Sequence, residues 1–192
     1  MIKNTIISLA VILTLSACGG DDSKDTTTPK ATQEVVVING HTLPPMPDKT
    51  LNDSTLLGID SNNNGVRDDV EIWIYETYTE SVEIGLFMQS ARAYQKVIQD
   101  PSKAHETKKY LDTYTSCVKY WIFRAEQNQE IFHIDKYRDL EKEVGGIMFN
   151  SIQRHVAYQK YNGELSGEVY SLLPISKEKC GFDELGNLKA LK

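Results

Sequence analysis

The sequence predicts an all-α domain, a small bundle of about four helices with an extended N-terminal arm. Three observations carry this. From Asp69 onward, apolar side chains recur at the spacing of helix faces. The stretch before Leu56 is β-branched or proline-bearing, which opposes a helix there. Asp100-Pro101 supplies a stop followed by a restart, separating one helix from the next.

Length and charge narrow the reading. The 192 residues suffice for one domain plus a leader. With 40% hydrophobic residues the chain can bury a sizeable core. The formal net charge is −6, and removing residues 1–17 takes away only Lys3 among the charged groups, leaving −7. No Lys/Arg cluster offsets that field, which repels a polyanion. Nucleic acid is excluded as a partner on this ground.

Residues 1–17 read as a leader. Met1-Ile2-Lys3 gives a positive start, Ile6 to Leu15 an apolar centre, and Leu15-Ser16-Ala17-Cys18 a small-residue end. The apolar centre is too short to span a bilayer as a helix. Leu15-Ser16-Ala17-Cys18 resembles the bacterial lipobox at every position. The resemblance implies cleavage before Cys18, a diacylglycerol on its thiol and acylation of the new amine. Each buried methylene contributes roughly 0.8 kcal/mol, so several chains on one residue make release negligible. Gly19 stands where enteric-type lipoproteins retained at the inner membrane carry Asp. By the same resemblance the chain is expected at the outer membrane, facing the periplasm.

Residues 18–34 are the lipidated cysteine and a polar tether with nothing to pack, which holds residues 35–192 about 20–25 Å from the bilayer. Val35-Val36-Val37-Ile38 is a β-branched run ending at Asn39-Gly40, a turn signal, and reads as an edge strand or an extended segment. Pro44, Pro45 and Pro47 force an extended path, and no helix is expected before Leu56.

Four helices follow. The first places Val70, Trp73, Ile74 and Thr77 on one face, and the second Val82, Leu86, Ala91, Tyr94 and Ile98. The third carries the stripe Tyr110, Leu111, Tyr114, Cys117, Val118, Trp121, Ile122 and Ala125. Such stripes are core before they are ligand boxes. The fourth spans about residues 136–161, with Leu140, Val144, Ile147, Met148, Ile152 and Val156 inward and a kink or close crossing at Gly145-Gly146.

The informative stretch is residues 60–71, Asp60-Ser61-Asn62-Asn63-Asn64-Gly65-Val66-Arg67-Asp68-Asp69-Val70-Glu71. Asp60, Asn62 and Asn64 lie two apart, so their oxygens converge as the chain curls. Gly65 admits the positive φ of a sharp turn, and Glu71 falls in the first turn of the next helix. In length and register the stretch resembles an EF-hand loop. The resemblance implies one Ca2+ held by Asp60, Asn62, Asn64, the Val66 carbonyl and Glu71, with Asp68 acting through water. Without a metal, Asp68, Asp69 and Glu71 would still suit a helix N-terminus, but such capping does not need the preceding series. There is no second loop, Arg67 takes a place that paired loops give to an apolar residue, and the lead-in is not convincingly helical. The loop is therefore more similar to the single calcium loops of bacterial extracellular proteins such as dockerins. With formal charge only from Asp60 and Glu71, an affinity of roughly 10⁻⁵–10⁻³ M is expected. The proline-rich lead-in, Thr55-Leu56-Leu57-Gly58-Ile59 and this loop together resemble a group of uncharacterised bacterial lipoproteins, a likeness that brings no activity with it.

Cys117 and Cys180, in an oxidising compartment, are expected to form one disulfide pinning the tail near residues 177–182 to the third helix. The alternative is a buried free Cys117 and a reactive Cys180. His41, His105, His133 and His155 have no metal-ligand spacing. Nucleophile, zinc and phosphate-loop motifs are absent, and Glu141 with Glu143, or Asp183 with Glu184, read as solvated faces. No catalysis is expected. The readings left are a calcium-stabilised, membrane-tethered binding or structural module of the cell envelope, or an inhibitor or immunity-type lipoprotein blocking an envelope toxin or hydrolase. An envelope hydrolase with carboxylates not visible in the sequence ranks last.

Overall fold

The structure is a computed structural model, and it describes residues 35–128, 142–171 and 173–191. The described residues fall in the second of the chain's two units, Gln33–Lys192. The leader, Cys18 and the tether up to residue 34 lie outside the described residues, as do His133, Leu140 and Glu141. The second unit is mainly helical, with one two-stranded sheet. Among the described residues no helix is long and apolar enough to cross a membrane.

The arm begins as a minimal hairpin. Strands β1 (Val37–Ile38) and β2 (His41–Thr42) pair antiparallel, Val37 with Thr42 and Ile38 with His41. Asn39 and Gly40 take φ of 51° and 82°, the pair of left-handed residues that a two-residue hairpin turn needs. Ile38 packs on the core and Leu43 is buried, which fastens the arm.

The expectation of no helix before Leu56 is corrected. Helix α1 spans Lys49–Ser54, and the Asp48 carboxylate caps it by accepting from the Leu51 N–H at 2.9 Å. The prolines stop at Pro47, so their φ restriction ends just before the cap and leaves Lys49 free to start a turn. Fully buried Arg154 then seals the far end. It donates to the carbonyls of Asn52, Thr55 and Leu56 at 2.5, 3.3 and 3.1 Å, and pairs with Asp53 at 2.9 Å. Carbonyls at a helix C-terminus have no partner of their own, and one guanidinium here serves several.

Helix α2 (Asp68–Thr77) buries Val70 and Ile74 as expected, with Ile72 and Tyr75 as well. Helix α3 (Ser81–Gln99) is buried along most of its length and belongs to both apolar clusters. Phe87, Ala91 and Ile98 join Val70, Ile74, Met148 and Tyr161 in one; Leu86 and Ala93 join Tyr114, Cys117 and Phe182 in the other. A helix apolar on nearly all sides must be surrounded, and α3 packs against α2, α4 and α6. Asp100 accepts from the Ser102 N–H at 3.2 Å, with Pro101 opening the short turn Pro101–Lys103 into α4 (Ala104–Asn128).

The fourth predicted helix is two. Residues 142–148 form α5, Phe149 to Ser151 break it, and α6 spans Ile152–Glu164 with Ser151 as its cap. The glycines are not the break; Gly145 and Gly146 stay helical with open space beside them. Phe149 instead stacks on Tyr158 at 4.4 Å and meets Tyr94 edge-on at 5.4 Å. That insertion resets the helical phase. Ile152 and Val156, expected inward, are 86% and 43% exposed, while Arg154, Ala157 and Tyr161 turn in.

Cys117 and Cys180 are bridged across 63 residues, so the expected disulfide forms. The tail that follows is seated on α3. The Phe182 ring lies where a side chain at Gly85 would stand, and Gln89 bonds both the Lys179 carbonyl and the Gly181 N–H. Phe182 bridges Leu188, closing a loop in which Asp183 accepts from the N–H groups of Leu185 and Asn187.

Candidate functional site

The 60–71 loop is held at both ends before any ligand is considered. On the entering side, Asn52 accepts from the Ile59 N–H at 2.9 Å and Gln95 donates to the Leu57 carbonyl at 2.5 Å. On the leaving side the chain runs directly into α2. The lead-in helix α1 ends at Ser54, with non-helical residues 55–59 between it and the loop.

Inside the loop, the side chains curl the backbone as their spacing implied. Asp60 accepts from the N–H groups of Asn64 and Gly65 at 3.1 and 2.9 Å. Asn62 accepts from Asn64 at 3.1 Å, and Asn64 from Val66 at 2.8 Å. Gly65 sits at φ 86° with Arg92 packed against it. The amide groups of Asn62 and Asn64 both donate to one oxygen of Glu71, at 3.0 and 2.7 Å. Three of the predicted ligand residues thus meet at one oxygen, Asn62, Asn64 and Glu71, while the Asp60 carboxylate is engaged by the loop backbone.

The other two behave differently. Val66 is fully buried. Asp68 is also fully buried, and both its oxygens accept from the Ser61 N–H, at 3.0 and 3.2 Å. Its carboxylate is engaged with the loop backbone. Among the described residues no three His, Cys, Asp or Glu side chains form a metal-type group, the predicted Asp60, Asp68 and Glu71 included.

Electrostatics sharpen the picture. Burial pushes the carboxyl groups of Glu71 and Asp68 above their ordinary values, opposed in Glu71 by the two asparagine amides and in Asp68 by Ser61. Arg92 stands beside the loop, its guanidinium pulled down by burial and back up by Asp60 and Glu71. It donates to the Lys189 carbonyl at 2.7 Å, which joins the loop's flank to the C-terminal tail.

Two cavities open on the loop. One of about 320 Å3 is lined by His41, Asn64, Glu71, Tyr75 and Asn187 among others. The second, about 520 Å3, is lined by Asp60, Asn63, Arg92 and Lys96 with the 188–191 tail. Sequence reasoning missed Arg92, Tyr75 and Asn187, which come from separate helices and the tail. The Asp183, Gly186, Asn187 series was a legible turn signal, but nothing local said that it faces the loop.

Comparison with protein-family models, with curated proteins and with solved structures found no match to this chain.

Proposed function

We propose that this chain is a membrane-tethered lipoprotein whose folded domain is a small helical bundle stapled by one Ca2+ in the 60–71 loop. In this reading it serves as a non-catalytic binding or structural module of the cell envelope. Cys18 in its lipobox-like setting supports the anchor, and Gly19 after it supports an outer-membrane address facing the periplasm. The acidic balance argues against nucleic acid.

The observation that carries the metal is the convergence of Asn62 and Asn64 on one oxygen of buried Glu71. A buried carboxylate needs positive charge or donors around it. In the described geometry two amide groups provide them, and a divalent ion at the same point provides more, with the amides turned oxygen-first. The donor set is Asp60, Asn62, Asn64, the Val66 carbonyl and both oxygens of Glu71. All are oxygens, which suits a hard cation taking six to eight of them. Asp68 supports the loop by capping Ser61.

The ion's part is structural. The loop runs into α2 and is joined through Arg92 to the tail, and ordering that junction is what bound calcium contributes. Thermal melting of a chain lacking residues 1–18 tests this. Millimolar calcium should raise the melting temperature and a chelator should reverse the rise; identical melts in both would end the metal reading. Loss of radiolabelled fatty acid from Cys18→Ser cells tests the anchor separately.

A further inference from the structure

Arg92 reaches the loop from α3 and is 7% exposed. Its side chain lies against Gly65, close enough that a Cβ there would meet its Nε at 3.4 Å. Gly65 in turn donates its N–H to the Asp60 carboxylate at 2.9 Å, so one glycine separates the guanidinium from a predicted ligand. Arg92 also lines the 520 Å3 cavity together with Asp60, Asn62, Asn64 and Lys96. Its donors are only partly used. Nη1 donates to the Lys189 carbonyl at 2.7 Å, while Nε has no hydrogen-bond partner among the described residues. A buried guanidinium is costly unless negative charge offsets it. Asp60 and Glu71 supply such charge from the loop.

The same two carboxylates carry the formal charge offered to the proposed Ca2+. An arriving ion finds a cation already in place, its stem packed on Gly65 and its Nη1 tied to the tail. Ion and guanidinium then bear the same sign within one small, largely buried space, where repulsion is screened less than at a surface. Half-buried Lys96 on the same cavity adds to it. We propose that Arg92 is the built-in counter-charge of the 60–71 loop. It steadies Asp60 and Glu71 when no metal is bound, and it holds calcium affinity down. The inference rests on the calcium reading and goes beyond it by naming the residue that sets the affinity. That residue belongs to another helix, so no reading of residues 60–71 contains it.

The test titrates calcium calorimetrically into the purified full-length protein in detergent, and into Arg92→Gln, Arg92→Met and Arg92→Lys. The two neutral variants should bind calcium at least about threefold more tightly than the parent. Arg92→Lys restores the charge and should return to within about twofold of the parent. A merely structural role would instead weaken binding in all three variants. Thermal melts give the reciprocal readout. In chelator the neutral variants should melt below the parent, and saturating calcium should narrow the gap. A neutral variant unfolded in chelator should refold when calcium is added, and failure to do so overturns the proposal. Neutral variants that bind no more tightly than a calcium-binding parent also overturn it, and leave the metal reading standing. No heat of calcium binding from any of the four proteins overturns both.

Discussion

Nη2 of Arg67 donates to the carbonyl oxygen of Ile147 at 2.9 Å, tying the 60–71 loop to the end of α5 across 80 residues of sequence. Nη1 reaches the Met148 carbonyl at 3.4 Å, and the other edge of the guanidinium meets both oxygens of Asp69 at 2.5 and 3.1 Å. Arg67 has no exposed surface. In the proposed calcium reading it stands where paired loops carry an apolar residue, and its contacts answer a different need. Where a paired loop meets a second loop, this one meets a helix end with open carbonyls. A planar, five-donor side chain suits that junction better than a hydrocarbon.

Arg67→Met should therefore destabilise the domain even though it keeps most of the volume. The carbonyls of Ile147 and Met148 lose their donors, and Asp69 loses its partner. Asp69 is part-exposed, so its share is discounted for solvent. The expected cost is about 3 kcal/mol by urea unfolding. A loss under about 0.5 kcal/mol would mean that the junction contributes nothing.

Asp53 sets an acid-side prediction. Bonds from Lys49 and Arg154 hold its carboxyl below the ordinary 3.8. For a carboxyl lowered by folding, the stabilisation is complete above the unfolded value and is lost as pH falls through the lower folded one. Asp53→Asn should cost roughly 1–2 kcal/mol near neutral pH. The difference from the parent should shrink once pH drops below 3.8. Denaturant melts across pH 2–7 give the curve, and a gap that widens on acidification would contradict the assignment.

How much of this was legible follows the range of each interaction. The Asn39-Gly40 turn, the Asp100-Pro101 restart and the Asp60 to Glu71 curl are set by neighbours a few residues apart, and all three stand where local rules put them. Helix α1 was missed because three prolines dominate the window, although the cap that starts it lies just past them. The break at Phe149 to Ser151 was missed because it depends on Tyr94 and on Arg67, neither within reach of a periodicity count. The tail's place on α3 is likewise a long-range fact. Gly85, inside α3, is the seat of Phe182.

Charge removal at Glu71 separates the metal from the scaffold. Burial disfavours the charged form of this carboxyl, so in chelator Glu71→Gln should melt at or slightly above the parent. It keeps a carbonyl oxygen for the Asn62 and Asn64 amides. In calcium the order should invert. At a hundredfold excess over its dissociation constant the ion adds about 2.7 kcal/mol to the parent, a rise of roughly 5–10 °C for a domain of this size. The variant should gain none. An equal calcium shift in both proteins would mean that Glu71 is not a ligand.

Gly85 and the Cys117–Cys180 bridge act on the same tail, and a double-variant cycle should reveal it. A Cβ at Gly85 would lie 2.3 Å from the Phe182 ring, so Gly85→Ala must lift the ring from α3. Overpacking of this kind costs about 1–3 kcal/mol. Replacing both cysteines with alanine opens a 63-residue connection, worth about 4 kcal/mol in the chain-entropy model. If the tail docks as one piece, a tail already freed from α4 has less docking left for Gly85→Ala to disturb. The two losses should then sum to less than their separate values by more than about 0.5 kcal/mol, the scatter of independent sites. Strict additivity would mean that Phe182 and the bridge anchor the tail independently. It would also separate the disulfide from the wall that Asn187 and Leu188 build beside the loop.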